Sequence, residues 1–247
     1  MVSRPRIVII GATSAIAEQC ARLWVRAAVD IVLIGRDLVR VSRVAADLRV
    51  RSPHSSVTAH EVNFFNPASI TTLAQKLAVE KAIDIVLIAH GNLPDQKECE
   101  QDITQAREAL EVNGVSPVLF AEAFAQQMEP VGRGTIAVIG SVAGDRGRKT
   151  NYVYGAAKGL VERYLQGMQH RFAHSKINVV LIKPGPTATP MTAHLPQRGM
   201  ASAEAVASRI IAAIDAGTPV AYVPAKWAII MMVIRHLPRA IFNKLNI

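Results

Sequence analysis

Short runs of β-branched and aliphatic residues recur along the chain, separated by longer stretches in which apolar residues return every three or four positions. The runs are Arg6 to Ile10, Ile31 to Gly35, Val57 to Val62, Ile83 to Ala89, Thr135 to Ser141, Ile177 to Ile182 and Val220 to Val223. Several, such as Ile83-Asp84-Ile85-Val86-Leu87-Ile88, are apolar almost throughout, as strands covered on both faces must be. The helical period runs over Ser14 to Ala28, Asp37 to Arg51, Pro67 to Glu80, Asp102 to Met128, Tyr152 to His174 and Ala203 to Ala216. Pro67 suits a first helical turn with Asn66 as its cap, and Pro130 closes the long fourth helix. Strands alternating with helices predict a three-layer α/β domain: one sheet of seven mainly parallel strands with helices on both faces. No linker, repeat or low-complexity segment interrupts the series, so residues 1–247 read as a single domain.

Composition sharpens this picture. With 50% hydrophobic and 19% charged residues in 247, the chain can bury a large core, which excludes disorder, collagen and coiled coil as global descriptions. A formal net charge of +9 biases the surface toward anionic partners: nucleic acid, an anionic membrane or a phosphorylated substrate. No nucleic-acid-binding motif accompanies the charge, so no nucleic-acid partner is expected. Cys20 and Cys99 belong to no CxxC pair or Cys/His cluster, which argues against a disulfide framework and a metal site and fits a reducing cytoplasm. The longest strongly apolar run, Trp227 to Ile234, has eight residues, against the roughly 20 that span a bilayer. Ile7 to Ile10 is too short for the apolar region of a secretory signal.

The first strand runs into a small-residue turn, Gly11-Ala12-Thr13-Ser14-Ala15-Ile16-Ala17-Glu18, that opens a helix. Backbone N–H groups and the positive end of a helix dipole would there meet a dinucleotide pyrophosphate; a tight turn without a ligand would use the same residues. The second strand ends in Gly35-Arg36-Asp37, where a cation grips a ribose 2′-phosphate and an anion a 2′-hydroxyl. Arg36 favours NADP(H), with NAD(H) as the alternative; a solvated Arg36 and a helix-capping Asp37 are the plain reading. The most specific chemistry lies further on. Ser141 ends the fifth strand, Tyr154 follows thirteen residues later, and Lys158 comes at the i+4 spacing that stacks two side chains on one helix face.

With Asn113 in the preceding long helix, these residues complete the Asn, Ser, Tyr, Lys tetrad of the short-chain dehydrogenase/reductase family, which the chain resembles from Arg6 to Val223. The resemblance implies a Rossmann-type doubly wound sheet and NAD(P)(H)-dependent reduction of a carbonyl to an alcohol. Tyr154 would donate the proton, Ser141 hold the carbonyl oxygen, Lys158 stabilise the phenolate and bind the nicotinamide ribose, and Asn113 fix a water that supplies protons. A phenol near pKa 10 needs a nearby ammonium to exchange protons at neutral pH.

For the cofactor, the resemblance marks Gly11, Thr13, Ser14, Ala15, Ile16 and Arg36, then Asn63 and Phe64 against the adenine, Ala89 and Gly91, and Pro184, Gly185, Thr187 and Thr189 in the Pro-Gly loop. The family's Gly-x-x-x-Gly-x-Gly turn here carries Ala15 and Ala17, and Ile88-Ala89-His90-Gly91 replaces Asn-Asn-Ala-Gly. His90 reads as a packing or ribose-adjacent residue. Family habit also implies a homodimer or homotetramer.

Two features bear on substrate. Arg146, Arg148 and Lys149 lie on the loop between Ser141 and Tyr154, and arginine suits a phosphate, though a solvated loop is an equal alternative. The segment 225–247 is basic and amphipathic: Lys226, Arg235, Arg239 and Lys244 stand around Trp227, Ile229, Ile230 and Phe242. It suits an anionic membrane surface, or packing on the body or another subunit. This tail and the stretches Ala143 to Lys149 and Met191 to Leu195 resemble a subfamily of keto-sugar reductases, the reductase components of decaprenylphosphoryl-ribose 2′-epimerases. That implies a 2-keto sugar on a polyprenyl phosphate as substrate, a partner flavin oxidase and a cytoplasmic protein peripheral to the inner membrane face. A soluble reductase of a small or acyl carbonyl is the alternative, and a non-catalytic cofactor-sensing scaffold a third.

Overall fold

A computed structural model of the chain describes residues 4–245. The first half contains β1 (Arg6–Ile10), α1 (Ala15–Trp24), β2 (Asp30–Gly35), α2 (Leu38–Arg51), β3 (Ser56–Glu61), α3 (Pro67–Glu80) and β4 (Ile85–Ile88). Then come α4 (Gln96–Gln101), α5 (Ile103–Leu110), a π-helical segment (Glu111–Val115), α6 (Ser116–Met128), β5 (Arg133–Ile139), α7 (Tyr152–Arg171) and β6 (Lys176–Pro184). The chain continues through β7 (Thr187–Ala188), β8 (Ala201–Ser202), α8 (Ala203–Asp215), β9 (Val220–Val223), α9 (Lys226–His236) and α10 (Arg239–Phe242).

The seven-stranded sheet has the order β3-β2-β1-β4-β5-β6-β9, and every pairing in it is parallel. Its physical basis is the two-residue period acting on strands that are apolar on both sides. Val8, Ile10, Val32, Ile34 and Val86 enter one core, shared with Ile70 and Leu77 of α3, Phe120 and Phe124 of α6, and Leu165 of α7. Ile7, Ile9, Ile31, Leu33 and Leu87 enter the other, against Cys20 and Trp24 of α1, Leu48 of α2 and Ile210 of α8. The caps also act as expected: Asn66 Oδ1 accepts from the Ser69 N–H at 3.1 Å, and Asp37 Oδ1 from the Arg40 N–H at 3.0 Å.

One predicted element is corrected. The helix expected over Asp102 to Met128 is broken into α5, the π-helical segment and α6, and α4 precedes it unforeseen. Pro117 supplies the reason. It has no N–H for the Asn113 carbonyl four residues back, and the backbone widens there, with the Ser116 N–H bonding to the Glu111 carbonyl.

Strand order reverses between β1 and β4, so the loops at the carboxyl ends of these strands part and leave a crevice. At the far end of the chain, α9 and α10 lie on the body through Met231, which is buried, and half-buried Trp227 and Phe242. Ile229, Met232 and Val233 are 67%, 57% and 54% exposed, so an apolar outer face is left to solvent. The final residues of the expected amphipathic segment, Asn246 and Ile247, lie outside the described residues. Among the described residues no helix is long and apolar enough to cross a membrane.

Candidate active site

The crevice is a cleft of about 450 Å³ at the carboxyl ends of β1, β2, β4, β5 and β6. Gly11 shapes its floor. Its φ is +78°, and a Cβ there would lie 2.6 to 2.8 Å from the backbone and Cβ of His90, so only glycine lets β1 and β4 close up beneath the turn. The chain then turns through hydrogen bonds from the Gly11 and Ala12 N–H groups to the Ile34 carbonyl, at 2.9 and 3.1 Å. No Ser14 side-chain bond caps α1, so the first N–H groups of that helix remain available to an anion in the cleft. Thr13, Ser14, Ala15 and Ile16 line this end.

Arg36 and Arg40 stand at the edge of the same end, with Phe64 and Phe65 beneath. The Arg36 guanidinium lies 6.0 and 5.9 Å from the two phenyl ring centres, which orients the cation over an aromatic floor. Asp37 is committed to capping α2, as the plain reading had it. Arg40, in the first turn of α2, carries no sequence mark comparable to that of Arg36 at the strand end. Asn63 is a correction. It is exposed and does not line the cleft, because its Oδ1 accepts the Phe65 N–H at 2.9 Å and folds the side chain onto its own loop.

At the other end of the cleft, Asn113, Ser141, Tyr154 and Lys158 converge. Lys158 Nζ donates to the Ile139 carbonyl at 3.0 Å and lies 5.8 Å from the centre of the Tyr154 ring. Burial pulls the Lys158 pKa down to about 8. Burial also raises the Tyr154 pKa, opposed by its hydrogen bond with Ser141. Desolvation of the phenolate favours the protonated phenol, so Tyr154 rests as an acid with the Lys158 ammonium nearby. Ser141 Oγ accepts the Ala143 N–H at 3.1 Å, which orients its hydroxyl and leaves its proton free to donate.

The Asn113 side chain is fully engaged. Its Nδ2 donates to Asn92 Oδ1 at 2.7 Å and to the Ala109 carbonyl at 2.9 Å, and its Oδ1 accepts the Asn92 N–H at 2.9 Å. Asn113 thus pins the loop after β4. Gly91 on that loop has φ +157°, and a Cβ there would meet Asn113 Oδ1 at 2.7 Å.

His90 packs edge-on against Phe64 and Phe120. Ser116 Oγ gives its proton to the Phe64 carbonyl at 2.8 Å, so at 3.0 Å it must accept one from His90 Nε2. Burial, helped by the charges of Lys158 and Arg36, drives the His90 pKa down to about 3, and the ring is neutral.

The Pro-Gly loop forms the remaining wall. Pro184, Gly185, Thr187 and Thr189 line the cleft, and Thr187 Oγ1 donates to the Gly185 carbonyl at 3.0 Å. The Trp227 indole rests directly on Gly185, where any side chain would collide with it. The three loop cations separate. Arg148 lines the cleft, Lys149 is exposed, and Arg146 turns away. Arg146 donates to the Ile234 and Leu237 carbonyls at 2.5 and 2.8 Å and stacks on the Phe242 ring at 3.7 Å. It caps the C-terminal end of α9 from outside and, unlike Arg148, does not line the cleft. Asn151 and Leu93, which the sequence pattern does not mark, line the cleft as well, as do Met191 and Leu195 of the stretch that carries the subfamily resemblance. Among the described residues no cluster of His, Cys, Asp and Glu is arranged for a metal.

A sequence model described as short chain dehydrogenase matches residues 5–199. An uncharacterized oxidoreductase of Mycobacterium tuberculosis is 29% identical over 97% of this chain and 96% of its own. One from Streptomyces coelicolor is 25% identical over 97% and 95%. Among solved structures, a short-chain dehydrogenase from Sphingobium yanoikuyae in complex with NADPH superposes with a TM-score of 0.79 at 24% identity, covering 96% of this chain and 97% of that one. A Burkholderia cenocepacia short chain dehydrogenase in complex with NADP gives 0.83 at 18% identity, covering 100% and 99%. These structures share the doubly wound fold, and the family match extends over most of the sequence. The chain belongs to the short-chain dehydrogenase family.

Proposed function

We propose that the protein is an NADP(H)-dependent oxidoreductase that reduces a carbonyl to an alcohol. The observation that carries this reading is the convergence of Ser141, Tyr154 and Lys158 at one end of a cleft whose other end holds Arg36 and Arg40. The residues fit a dinucleotide: the uncapped start of α1 and the close approach at Gly11 suit a pyrophosphate, and the two arginines suit a 2′-phosphate. A short-chain dehydrogenase of the same fold from Sphingobium yanoikuyae is in complex with NADPH, which supports a nicotinamide cofactor for this chain. The bound nicotinamide supplies hydride. Ser141 Oγ donates to the carbonyl oxygen and fixes it beside Tyr154, whose hydroxyl delivers the proton as negative charge develops there. Lys158 stabilises the phenolate left behind. The Asn113 side chain has no free donor, so a proton-relay water would rest on its backbone carbonyl, which Pro117 leaves without the usual helical partner.

Tyr154→Phe tests the reading. Turnover should fall by about 10²-fold or more while NADPH binding, followed by fluorescence titration, is retained. A variant that turns over at the parent rate would refute it.

For substrate we infer a 2-keto sugar on a polyprenyl phosphate, made by a partner flavin oxidase, with the enzyme a cytoplasmic homo-oligomer at the inner membrane face. The likeness of the tail and two loops to the reductase component of decaprenylphosphoryl-ribose 2′-epimerase supports this. So does the outer face of α9 and α10, where exposed Ile229, Met232, Val233 and Ile241 stand among Lys226, Arg235, Arg239 and Lys244. The inward seating of Trp227 and Arg146 instead favours a soluble reductase of a small or acyl carbonyl, whose tail braces the site.

A further inference from the structure

Arg148 is half-buried in the wall of the cleft, and its Nε is shut off from solvent with no hydrogen-bond partner. Among the described residues it pairs with no carboxylate. The acidic group on its own loop, Asp145, is taken by Lys183 and by the Tyr222 hydroxyl, which donates at 2.8 Å. Asn151 lies beside it: its N–H donates to the Arg148 carbonyl at 3.1 Å and closes a turn that brings both side chains to the same wall. Asn151 Oδ1 is likewise buried and without a donor. Arg36, Arg40 and the start of α1 would hold the phosphates of a dinucleotide, which leaves Arg148 without an assigned partner. Asn151 immediately precedes α7 and Tyr154 lies in its first turn, and Arg148, Asn151 and Tyr154 all line the cleft, which puts the pair near the reacting carbonyl. An unpaired cation and an unpaired acceptor, both partly desolvated, are unfavourable unless a ligand completes them.

We propose that Arg148 and Asn151 form a substrate subsite for a hydroxylated anion, a carbonyl compound that bears an oxyanion such as phosphate and a free hydroxyl. This rests on the reductase reading above and names the chemistry of its substrate. Arg148 takes the oxyanion on the two N–H groups of its guanidinium edge, and the Asn151 carboxamide accepts from the hydroxyl. Leu93, Met191 and Leu195 offer the rest of the molecule an apolar wall. The shared chemistry, a sugar phosphate, can come from a soluble metabolite or from a lipid-linked one.

The experiment uses the full chain saturated with NADP+, so that the cofactor's own phosphate sites are filled and no reduction occurs, and titrates it by calorimetry with ribose 5-phosphate, ribose and inorganic phosphate. The parent should bind ribose 5-phosphate more tightly than either fragment. Arg148→Gln should weaken that binding about 10- to 100-fold, as expected for loss of a charge-assisted contact, and Arg148→Lys should restore part of it. Asn151→Ala should weaken ribose 5-phosphate and leave inorganic phosphate unaffected. A farnesyl-phosphoryl ribose that binds more tightly than ribose 5-phosphate upholds the subsite and assigns a lipid-linked source; equal binding upholds it with a soluble one. Absence of binding by both ribose 5-phosphate and farnesyl-phosphoryl ribose, or undiminished binding in Arg148→Gln, overturns the proposal while NADP+ binding leaves the reductase reading in place. Failure of NADP+ itself to bind overturns both.

Discussion

Lys183→Met should be among the most destabilising single substitutions in this chain. Lys183 is 1% exposed and makes ion pairs with Asp145, whose side chain is wholly buried, and with Glu162 at 2.7 Å, which is 15% exposed. Its Nζ also lies 5.0 Å from the centre of the Tyr222 ring. Burial works against the ammonium, but the hydrogen-bonded Asp145 and Glu162 outweigh it and hold the Lys183 pKa above the ordinary lysine value. Methionine fills similar space without charge, and two carboxylates then face each other in the interior. Breaking a buried ion pair from one side costs about 3–5 kcal/mol; Glu162 can reach water, which places the expected loss near the lower figure. At roughly 2–4 °C per kcal/mol for a domain of this size, Tm should fall by about 6–12 °C at 3 kcal/mol.

Urea denaturation at pH 7 measures the loss directly, and the double variant Asp145→Leu/Lys183→Met should recover a large part of it, because the uncompensated charge is gone. The pH dependence has a definite sign. A base whose folded pKa is raised stabilises the fold fully below its unfolded pKa of about 10.5 and loses that contribution as pH rises through the folded value. The difference between parent and variant should therefore be complete at pH 7 and shrink only in strong alkali. A loss below about 1 kcal/mol at pH 7, or a double variant no more stable than the single one, would show that the network is not a paired, desolvated one. Because Asp145 belongs to the loop after Ser141 and Lys183 immediately precedes Pro184, the same variant should also loosen two walls of the cleft.

Arg36→Ala combined with Arg40→Ala should weaken NADPH binding far more than NADH binding; equal effects on the two cofactors in parallel titrations would remove both arginines from the 2′-phosphate. His90, with a pKa near 3 in the fold, should make stability fall as pH drops below 6.5, by up to about 1.4 kcal/mol per pH unit, because the unfolded chain takes up a proton that the folded one refuses. His90→Gln should flatten that acid limb in chemical denaturation. Lys158, with a pKa of about 8, should impose a decline on the reduction rate above pH 8, and Lys158→Arg, which keeps its charge, should remove that limb from the profile. If the tail docks on membranes, the protein should sediment with anionic vesicles at low salt and be released as salt rises, and Arg235→Gln with Arg239→Gln and Lys244→Gln should abolish it; no sedimentation by the parent leaves the soluble reading.

Local pattern determined a great deal of this protein. Alternation of short apolar runs with helical stretches yielded all seven strands of the sheet, since a strand buried on both faces leaves an almost unbroken apolar signature. Spacing alone brought Tyr154 and Lys158 onto one face of α7, because i and i+4 neighbours meet on any helix. Pro117 carried the break in the long helix openly, through its missing N–H, although the apolar period ran straight past it. What the sequence could not decide is which partners distant segments would find. Arg146, Arg148 and Lys149 are equivalent cations along the chain; only folding sets Arg146 against the carbonyls of α9, Arg148 into the cleft and Lys149 into water. Trp227 reads as an interfacial aromatic until Gly185 is seen beneath it. The direction of the Tyr154 shift depends on how thoroughly the folded chain strips water from the phenol, and desolvation is a property of the whole packing around a group. Periodicity is written into neighbouring residues, whereas charge pairing and burial arise from contacts between residues far apart in the chain, and these exist only once the tertiary structure has formed.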